Sequence, residues 1–387
     1  MDDLLSRGVA NIIPSKEKLE EALNTRKLNI YLGIDPTSTK IHLGHAVPLR
    51  KLQKLAEAGH HVTFLIGDFT ALIGDTSDKD AERPVLTSEQ IEENFHTYKK
   101  QAEKILDFSK VEVKHNSEWL SKLTFQEIVK LCQHFSFGDF ASRELIKKRL
   151  TEGKKVGLHE ALYPVMQGYD SYFMKTDIQL GGTDQTFNMQ AGRTLIKALE
   201  NRESYVMTNE FLTGTDGRKM SKSWGNAIWL EDEADNMYGK VMSIKDDLIM
   251  EYFKLGTNVT EDKLAEVQKR LEDGENPMAL KKELAFQIVA ELHSEEDAKT
   301  AQEEFERTVQ HKATPTDIQT VEASTDKTLS SIALENNMVA SMSEWRRLWE
   351  QKGLHFNGEA VAEVNATAGQ GGVLKVGKLK QIKIEAK

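Results

Sequence analysis

Two histidines stand three residues apart, just after a run that predicts a buried strand. The run is Asn29–Asp35, and His42-Leu-Gly-His45 follows where a helix over Ala46–Ala58 is expected to begin. A helix N-terminus offers free backbone N–H groups and a positive dipole end, which suit phosphate. Gly44 lets a ligand approach the backbone closely. The segment therefore predicts a nucleotide or phosphate site. Histidines that only cap or pack the helix, and a metal pair without an evident third ligand, are the alternatives.

A second candidate is the segment Asp216-Gly-Arg-Lys-Met-Ser-Lys-Ser223, which Gly214 and Gly217 make a flexible loop. It supplies two lysines and two hydroxyls, Lys219, Lys222, Ser221 and Ser223. Lysines act as mobile point charges for phosphate groups. An ordinary exposed basic loop is the alternative. The chain contains neither a P-loop nor the glycine pattern of a dinucleotide-binding site.

A third candidate lies on a predicted helix over Leu158–Met174. Tyr163, Gln167 and Asp170 stand at positions i, i+4 and i+7 and therefore share one face. We expect the core of the protein to receive a different stripe, made of Leu162, Val165, Met166, Tyr169 and Phe173. Asp184 and Gln185 follow Gly181-Gly182 at the end of the next predicted strand, a second ligand-facing position. A solvated polar face is the alternative for the helix.

Taken together, these motifs resemble those of a known enzyme family. His42-Leu-Gly-His45 and Lys219-Met-Ser-Lys-Ser223 resemble the two signatures of class I aminoacyl-tRNA synthetases. Tyr163 to Asp170 and Gly181 to Asn188 resemble tyrosyl-tRNA synthetases in particular, with a bacterial subtype as the best match. The resemblance covers about residues 1–325 well. It implies that tyrosine and ATP form tyrosyl-adenylate and pyrophosphate, and that tyrosine is then transferred to the 3′ end of tRNA(Tyr).

The resemblance also implies the residues that bind the amino acid. Tyr31 and Asp170 would hold the phenol hydroxyl of tyrosine, and a buried pair left unpaired by phenylalanine would carry a large penalty. The remaining contacts would go to the ammonium group and, through one glutamine, to the reacting carboxyl. The ammonium residues are Asp75, Tyr163 and Gln167, and the glutamine is Gln185.

ATP would be bound by a larger set of residues. Gly33, Asp35, Gly44 and Gly182 would line the adenylate, and Asp184 would bind the ribose. Thr37 and His42 match the γ-phosphate contacts, and His45 the ribose and ring-oxygen contact. Lys79 and Arg83 would clamp the departing pyrophosphate together with Lys219 and Lys222, and Ser221 and Ser223 would also bind ATP. Mg²⁺ would arrive with ATP, and no tightly bound, protein-ligated metal is expected.

The order of predicted elements indicates the fold class. Strands over Asn29–Asp35, His61–Gly67, Val111–Lys114 and Asp177–Leu180 alternate with helices, which predicts an α/β fold with a Rossmann-like, doubly wound parallel sheet. We expect this catalytic domain over residues 1–230. An α-helical anticodon-side domain over 231–312, a linker over 313–325 and a small S4-like α+β RNA-binding domain over 326–387 should follow. Arg346, Arg347 and Lys378 are the expected RNA contacts of the last domain.

Composition limits the partners. The 387 residues are 39% hydrophobic and 29% charged, which is typical of a folded globular protein. The lone Cys132 excludes an intrachain disulfide. No apolar stretch has the length of a membrane span, and no signal-peptide pattern is present. We therefore expect a cytoplasmic protein. The net charge of −10 argues against indiscriminate nucleic-acid binding, although eight Lys/Arg exceed five Asp/Glu from Ser341 onward.

Two other functions stay open at this point. A tryptophanyl-tRNA synthetase shares the fold and both signatures, but Tyr31 and Asp170 argue against an indole substrate. An RNA-binding protein descended from a synthetase without activity is the alternative from another class. The intact Lys219-Met-Ser-Lys-Ser223 and the carboxylates Asp75, Asp170 and Asp184 argue against it. A homodimer is implied by the resemblance alone.

Overall fold

A computed structural model describes residues 2–37, 39–74, 86–221, 224–310, 319–377 and 380–387. The chain forms two compact units, Met1–Ala301 and Gln302–Lys387. Within the described ranges, no helix is long and apolar enough to cross a membrane.

A six-stranded sheet forms the centre of the first unit. Its strands are β1 Val9–Ile13, β2 Asn29–Ile34, β3 His61–Ile66, β4 Val111–His115, β5 Ile178–Gly182 and β6 Tyr205–Asn209. The order is β1-β6-β5-β2-β3-β4, and every neighbouring pair is parallel except β1 with β6. The prediction of a mostly parallel α/β sheet is confirmed. The strand order reverses at β2, which pairs with β3 on one side and β5 on the other, so a ligand crevice is expected there.

Helices connect these strands. They are α1 Asp2–Ser6, α2 Lys16–Thr25, α3 Leu43–Glu57, α4 Asp68–Ala71, α5 Ser88–Ala102, α6 Ser117–Leu120, α7 Phe125–Cys132, α8 Phe137–Ser142, α9 Glu144–Thr151, α10 Leu158–Phe173 and α11 Thr186–Glu200. The capping-box patterns mark true helix starts: Thr87 and Gln90 bond reciprocally before α5, and Thr124 and Glu127 do so before α7.

A helical segment follows the sheet. It comprises α12 Ala234–Met242, α13 Ile249–Gly256, α14 Glu261–Glu272, α15 Pro277–Leu292 and α16 Glu295–Phe305. These helices, up to Ala301, belong to the same compact unit as the sheet. One reason is Arg7, whose buried guanidinium donates to the carbonyl oxygens of Phe253 and Thr257 at the end of α13. Another is Arg50 on α3, which donates to Gly256 O at 3.0 Å.

The second unit contains its own five-stranded sheet. Its elements are β7 Gln319–Ala323, α17 Leu329–Glu335, α18 Met342–Glu350, β8 Leu354–Phe356, β9 Glu359–Ala360, β10 Gly371–Val376 and β11 Lys380–Ala386. Strand order is β7-β11-β10-β8-β9, and Trp345 is fully buried in the core. β7 lies inside the predicted linker 313–325. It pairs with β11 some sixty residues away, and local sequence patterns do not indicate such a contact. Residues 313–318 lie outside the described ranges.

Candidate functional site

A cavity of about 930 Å³ opens where β2 and β5 end. Its walls come from the ends of these strands, from the start of α3, from one face of α10 and from the loop after β6. The cavity is lined by fifteen of the predicted site residues, namely Tyr31, Gly33, Asp35, Thr37, His42, Gly44, His45, Tyr163, Gln167, Asp170, Gly182, Asp184, Gln185, Lys219 and Ser221. Three predicted segments that lie far apart in sequence therefore meet around one space.

The other predicted residues fall into two groups. Asp75, Lys79, Arg83, Lys222, Ser223 and Lys378 lie outside the described residues. Arg346 and Arg347 are exposed on α18 in the second unit. Trp345, between Ser341 and these arginines, is buried and donates its indole N–H to Val364 O at 3.0 Å, which fixes the helix that presents them.

Asp170 is a buried carboxyl at one end of the cavity. The residue is 2% exposed. Trp119 Nε1 donates to Oδ1 at 2.7 Å, and Asn116 Nδ2 donates to Oδ2 at 3.2 Å. Burial raises the pKa of Asp170 to about 8, although both hydrogen bonds oppose that rise. The carboxyl is therefore largely protonated near neutral pH and can donate as well as accept a hydrogen bond.

Tyr31 lies beside Asp170 and is 3% exposed. Its hydroxyl is 2.9 Å from Ser171 Oγ and donates to Gln179 Oε1 at 3.3 Å. Gln179 is itself held by its Nε2, which donates to Met189 O at 2.9 Å. Burial, followed by the charge of Asp170, raises the pKa of the Tyr31 phenol. A neutral hydroxyl and a buried carboxyl thus stand together at the same end of the cavity.

Asp35 links the end of β2 to two other elements. Thr70 Oγ1 donates to its Oδ1 at 2.8 Å, and Tyr163 Oη donates to its Oδ2 at 2.9 Å. A Cβ on Gly67 would lie 2.0 Å from Asp35 Oδ1. The carboxylate therefore occupies space that only a glycine at position 67 leaves open, and it orients the Tyr163 ring along the cavity wall.

The two histidines stack on each other at the start of α3. Their ring centroids are 3.8 Å apart. Burial is the largest cause that lowers the pKa of His42 to about 2 and of His45 to about 4, and the Lys219 ammonium contributes to both shifts. The His45 Nδ1 atom accepts from the His42 backbone N–H at 3.3 Å, so the proton of the neutral ring belongs on Nε2. The pair is suited to hydrogen bonding and carries no charge at neutral pH.

Backbone hydrogen bonds connect the histidine segment to the segment after the lysine loop. Leu43 N donates to Ile228 O at 2.8 Å, and Leu230 N donates to Ile41 O at 2.9 Å. The fold therefore holds the two motifs side by side, although they are distant in sequence. The Lys219 ammonium lies 3.8 Å from Asp184 Oδ2 and 4.8 Å from the centre of the Phe211 ring. A cation thus faces a carboxylate across the part of the cavity nearest to α3.

Sequence patterns missed several residues that shape this site. Asn116, Trp119, Ser171 and Gln179 are each at most 3% exposed and bond to Asp170 or Tyr31. A polar residue inside an apolar strand, as Gln179 is in β5, was the available signal. The predicted core stripe of α10 is wrong in part: Val165 is buried, Leu162, Met166 and Tyr169 are half-buried, and Phe173 is 50% exposed. The inward face of that helix instead carries Tyr163 and Asp170.

Metal binding by the protein alone finds no support in the part of the chain that the structure describes. No group of three His, Cys, Asp or Glu side chains there is arranged to hold an ion. The histidine pair at α3 has no third His, Cys, Asp or Glu ligand among these residues.

Comparisons with known proteins agree with the geometry. The family of tRNA synthetases class I (W and Y) matches residues 23–310. A tyrosine–tRNA ligase of Thermotoga maritima is 40% identical over 385 residues, covering 98% of this chain and 96% of the relative. Tyrosine–tRNA ligase 2 of Clostridium acetobutylicum is 40% identical over 388 residues, covering 98% and 97%.

Solved structures are similar in fold. A C-terminally truncated mitochondrial tyrosyl-tRNA synthetase of Aspergillus nidulans matches with a TM-score of 0.68 and 21% identity, over 80% of this chain and 92% of that one. A tyrosyl-tRNA synthetase of Archaeoglobus fulgidus complexed with L-tyrosine matches with a TM-score of 0.62 and 23% identity, over 78% and 98%.

Proposed function

The chain belongs to the class I tRNA synthetases (W and Y) and has the function of a tyrosine–tRNA ligase, and on this premise we propose how its residues carry out the reaction. In the first step, a carboxylate oxygen of tyrosine attacks the α-phosphorus of ATP. The bond to pyrophosphate breaks, and tyrosyl-adenylate results. In the second step, a 3′-terminal ribose hydroxyl of tRNA attacks the adenylate carbonyl and releases AMP.

One observation carries the choice of tyrosine, namely the buried Asp170 carboxyl beside the Tyr31 hydroxyl. A phenol hydroxyl can donate to one of these groups and accept from the other. Phenylalanine would leave the remaining hydrogen-bonding capacity of this buried pair unused, and an unsatisfied buried polar group costs about 1–3 kcal/mol. Tyrosyl-tRNA synthetases are the standard example of an enzyme that rejects phenylalanine without an editing step, and the buried pair gives the physical reason for the direction of that preference.

The other end of tyrosine would meet a polar wall. Tyr163 and Gln167 on α10 are proposed to bind the ammonium group and Gln185 after β5 to contact the reacting carboxyl, since all three line the cavity. Asp75 would complete the ammonium site, but it lies outside the described residues. Asp35 contributes by holding the Tyr163 hydroxyl at 2.9 Å, so that the ring keeps one orientation along the path of the substrate.

ATP would lie between the start of α3 and the lysine loop. Gly33, Gly44 and Gly182 leave room for the nucleotide, and Asp184 accepts hydrogen bonds from the ribose. His42 and His45 are neutral, so they would donate hydrogen bonds to the triphosphate and ribose without adding charge. Thr37 and Ser221 provide further donors. Lys219 supplies the positive charge that stabilises the leaving pyrophosphate, and Lys222, Ser223, Lys79 and Arg83 are proposed to join it. Mg²⁺ would enter bound to ATP as part of the substrate.

The second unit is proposed to contact tRNA(Tyr) as an S4-like domain. Arg346 and Arg347 are exposed on α18, next to a sheet whose strands carry Lys375 and Lys383. Such side chains suit the phosphate backbone. Replacing both arginines by alanine should impair tRNA charging and leave tyrosyl-adenylate formation unchanged. Equal loss of the two steps would contradict this division of labour.

A homodimer is proposed from the distribution of exposed apolar side chains. Among the described residues, six of the eleven exposed large apolar side chains lie between Phe125 and Phe173, on α7 to α10, and Phe125 and Leu158 are 82% and 76% exposed. Clustered exposure of this kind marks an interaction surface. Sedimentation analysis should show twice the mass of one chain, and a monomer at micromolar concentration would refute the dimer. A cytoplasmic location stays a prediction.

Asp170→Ala tests the substrate assignment. The variant should lose most of its preference for tyrosine over phenylalanine in ATP–pyrophosphate exchange, because the phenol loses its buried partner. Tyr31→Phe should act in the same direction. Unchanged discrimination in both variants would show that the phenol hydroxyl binds elsewhere.

A further inference from the structure

The loop that carries Lys219 is closed at its base by backbone hydrogen bonds. Thr213 and Lys219 form an antiparallel bridge, and Gly214 N donates to Arg218 O at 2.7 Å. Met220 follows with a side chain that is 4% exposed. The backbone around Lys219 is therefore anchored, although the lysine itself reaches into the cavity.

A single side chain downstream of the loop holds this backbone from within. Asn226 is 3% exposed. Its Nδ2 donates to Asp216 Oδ1 at 2.8 Å and to Lys219 O at 3.2 Å, while its Oδ1 accepts from Ser221 N at 2.9 Å. The Asn226 carbonyl also accepts from Thr215 N at 3.0 Å. The carboxamide thus uses both of its hydrogens and its oxygen on three different residues of the loop.

This arrangement requires an amide of this length. Aspartate would offer the oxygen to Ser221 N but would place a second acceptor against Asp216 and the Lys219 carbonyl. Alanine would remove all three of these side-chain hydrogen bonds. The Asn226 carboxamide also requires a glycine at position 214, because a Cβ there would lie 2.3 Å from Asn226 Nδ2 and 3.0 Å from the Asn226 carbonyl oxygen. Gly214 therefore leaves room for the Asn226 carboxamide.

The two peptide groups that Asn226 holds flank Met220. They are the carbonyl of Lys219 and the N–H of Ser221, and both residues line the nucleotide side of the cavity. A shift of this backbone would move the Lys219 ammonium away from its place 3.8 Å from Asp184 Oδ2. Tyr31 and Asp170 lie on β2 and α10, so the phenol end of the cavity should be unaffected by such a shift.

We propose that Asn226 is a positioning residue for the phosphate-binding loop, which acts through the backbone of Lys219 and Ser221 on the activation step. It touches neither tyrosine nor ATP in this account. The inference rests on the proposed function, because it assumes that Lys219 stabilises the departing pyrophosphate. Misplacement of a catalytic charge by about 1 Å costs up to about 100-fold in rate.

The test compares Asn226→Ala with the unmodified full-length chain. The kcat of tyrosine-dependent ATP–pyrophosphate exchange should fall about 10- to 100-fold, while the Kd of tyrosine, measured by equilibrium dialysis, stays unchanged. Asn336→Ala is the control, because its amide also holds a backbone carbonyl, Ile332 O at 2.9 Å, but in the second unit. The control should keep full exchange. Unchanged kcat in Asn226→Ala, or a parallel loss of tyrosine binding, would overturn the proposal.

A reciprocal pair adds a test that a purely structural role would not pass. Asn226→Asp should be at least as slow as Asn226→Ala, because two acceptors then face each other. Combining it with Asp216→Asn returns a donor to that contact and should raise kcat at least threefold over Asn226→Asp alone, about 0.7 kcal/mol. Absence of any recovery would refute the positioning contact. Exchange by the unmodified chain reports on the proposed function, and the variant ratios report on Asn226, so the two failures are distinguishable.

Discussion

Trp119→Phe offers a sensitive test of the phenol site, because it removes one hydrogen bond and keeps an aromatic ring. The indole N–H donates to Asp170 Oδ1 at 2.7 Å, and the ring stacks on Phe173 with centroids 4.7 Å apart. Phenylalanine preserves that stacking. The Asp170 carboxyl accepts hydrogen bonds from Trp119 and Asn116, and the substitution removes the shorter of the two. The carboxyl would then be held less firmly in the orientation that faces the substrate.

The size of the effect follows from the kind of bond that is lost. A hydrogen bond between neutral groups contributes about 0.5–1.5 kcal/mol, which corresponds to a factor of about 2 to 13. Tyrosine should lose that factor in kcat/KM, whereas phenylalanine, which makes no bond to Asp170, should lose little. The ratio of the two specificity constants should therefore fall by about 2- to 13-fold.

Pyrophosphate exchange with each amino acid measures this ratio. Trp349→Phe is a matched control, because Trp349 Nε1 donates to Val361 O at 2.8 Å in the second unit. The control loses the same kind of bond away from the cavity and should keep its discrimination. A Trp119→Phe enzyme with an unchanged ratio would refute the claim that the indole orients Asp170 for the phenol.

Three further predictions concern the supports of the site. Arg149→Ala should lower the free energy of unfolding by about 3–5 kcal/mol, measured by denaturant titration. The substitution removes the ion-pair partner of the buried Glu160 carboxylate, whose Oε2 accepts from Arg149 Nη1 at 2.7 Å. A loss below about 1 kcal/mol would contradict the burial of this pair. Gly67→Ala should reduce the kcat of exchange, because the new Cβ would lie 2.0 Å from Asp35 Oδ1. Full activity would show that the Asp35 side chain can move aside without harm to the site. The pKa of Asp170 is about 8 in the folded protein and about 4 in the unfolded chain. The stability that the Asp170 carboxyl contributes is therefore fully present below pH 4. It is lost as the pH rises towards 8, by up to about 1.4 kcal/mol per pH unit. Asp170→Asn should therefore gain stability relative to the unmodified chain between pH 5 and pH 8 in denaturant titrations, and a pH-independent difference would refute the raised pKa.

Local patterns were sufficient for the elements that build the cavity. The strands β2 and β3 are continuous apolar runs, and α3 between them has apolar residues at helical spacing, so this unit follows from nearest-neighbour rules. The capping boxes before α5 and α7 likewise involve residues three positions apart. Motif residues on α3, α10 and the lysine loop met in one cavity because the parallel sheet places strand ends on the same edge.

Contacts between distant residues were beyond such patterns. Asn116 and Trp119 lie more than fifty positions before Asp170, and nothing in their own segment marks them as partners of a carboxyl on α10. Local patterns predict a linker where β7 lies for the same reason, since its partner strand is the distant β11. Phe173 was placed in the core by periodicity, but the helix ends there and its ring remains half exposed.

The amino-acid dependence of ATP–pyrophosphate exchange by the unmodified chain tests whether tyrosine is the substrate. Purified protein would be supplied with ATP, Mg²⁺, labelled pyrophosphate and one amino acid at a time: tyrosine, phenylalanine or tryptophan. We expect tyrosine to support rapid exchange and the other two to support little, because only a phenol hydroxyl satisfies Tyr31 and Asp170. Preferred exchange with tryptophan, or no exchange with any of the three, would contradict the account.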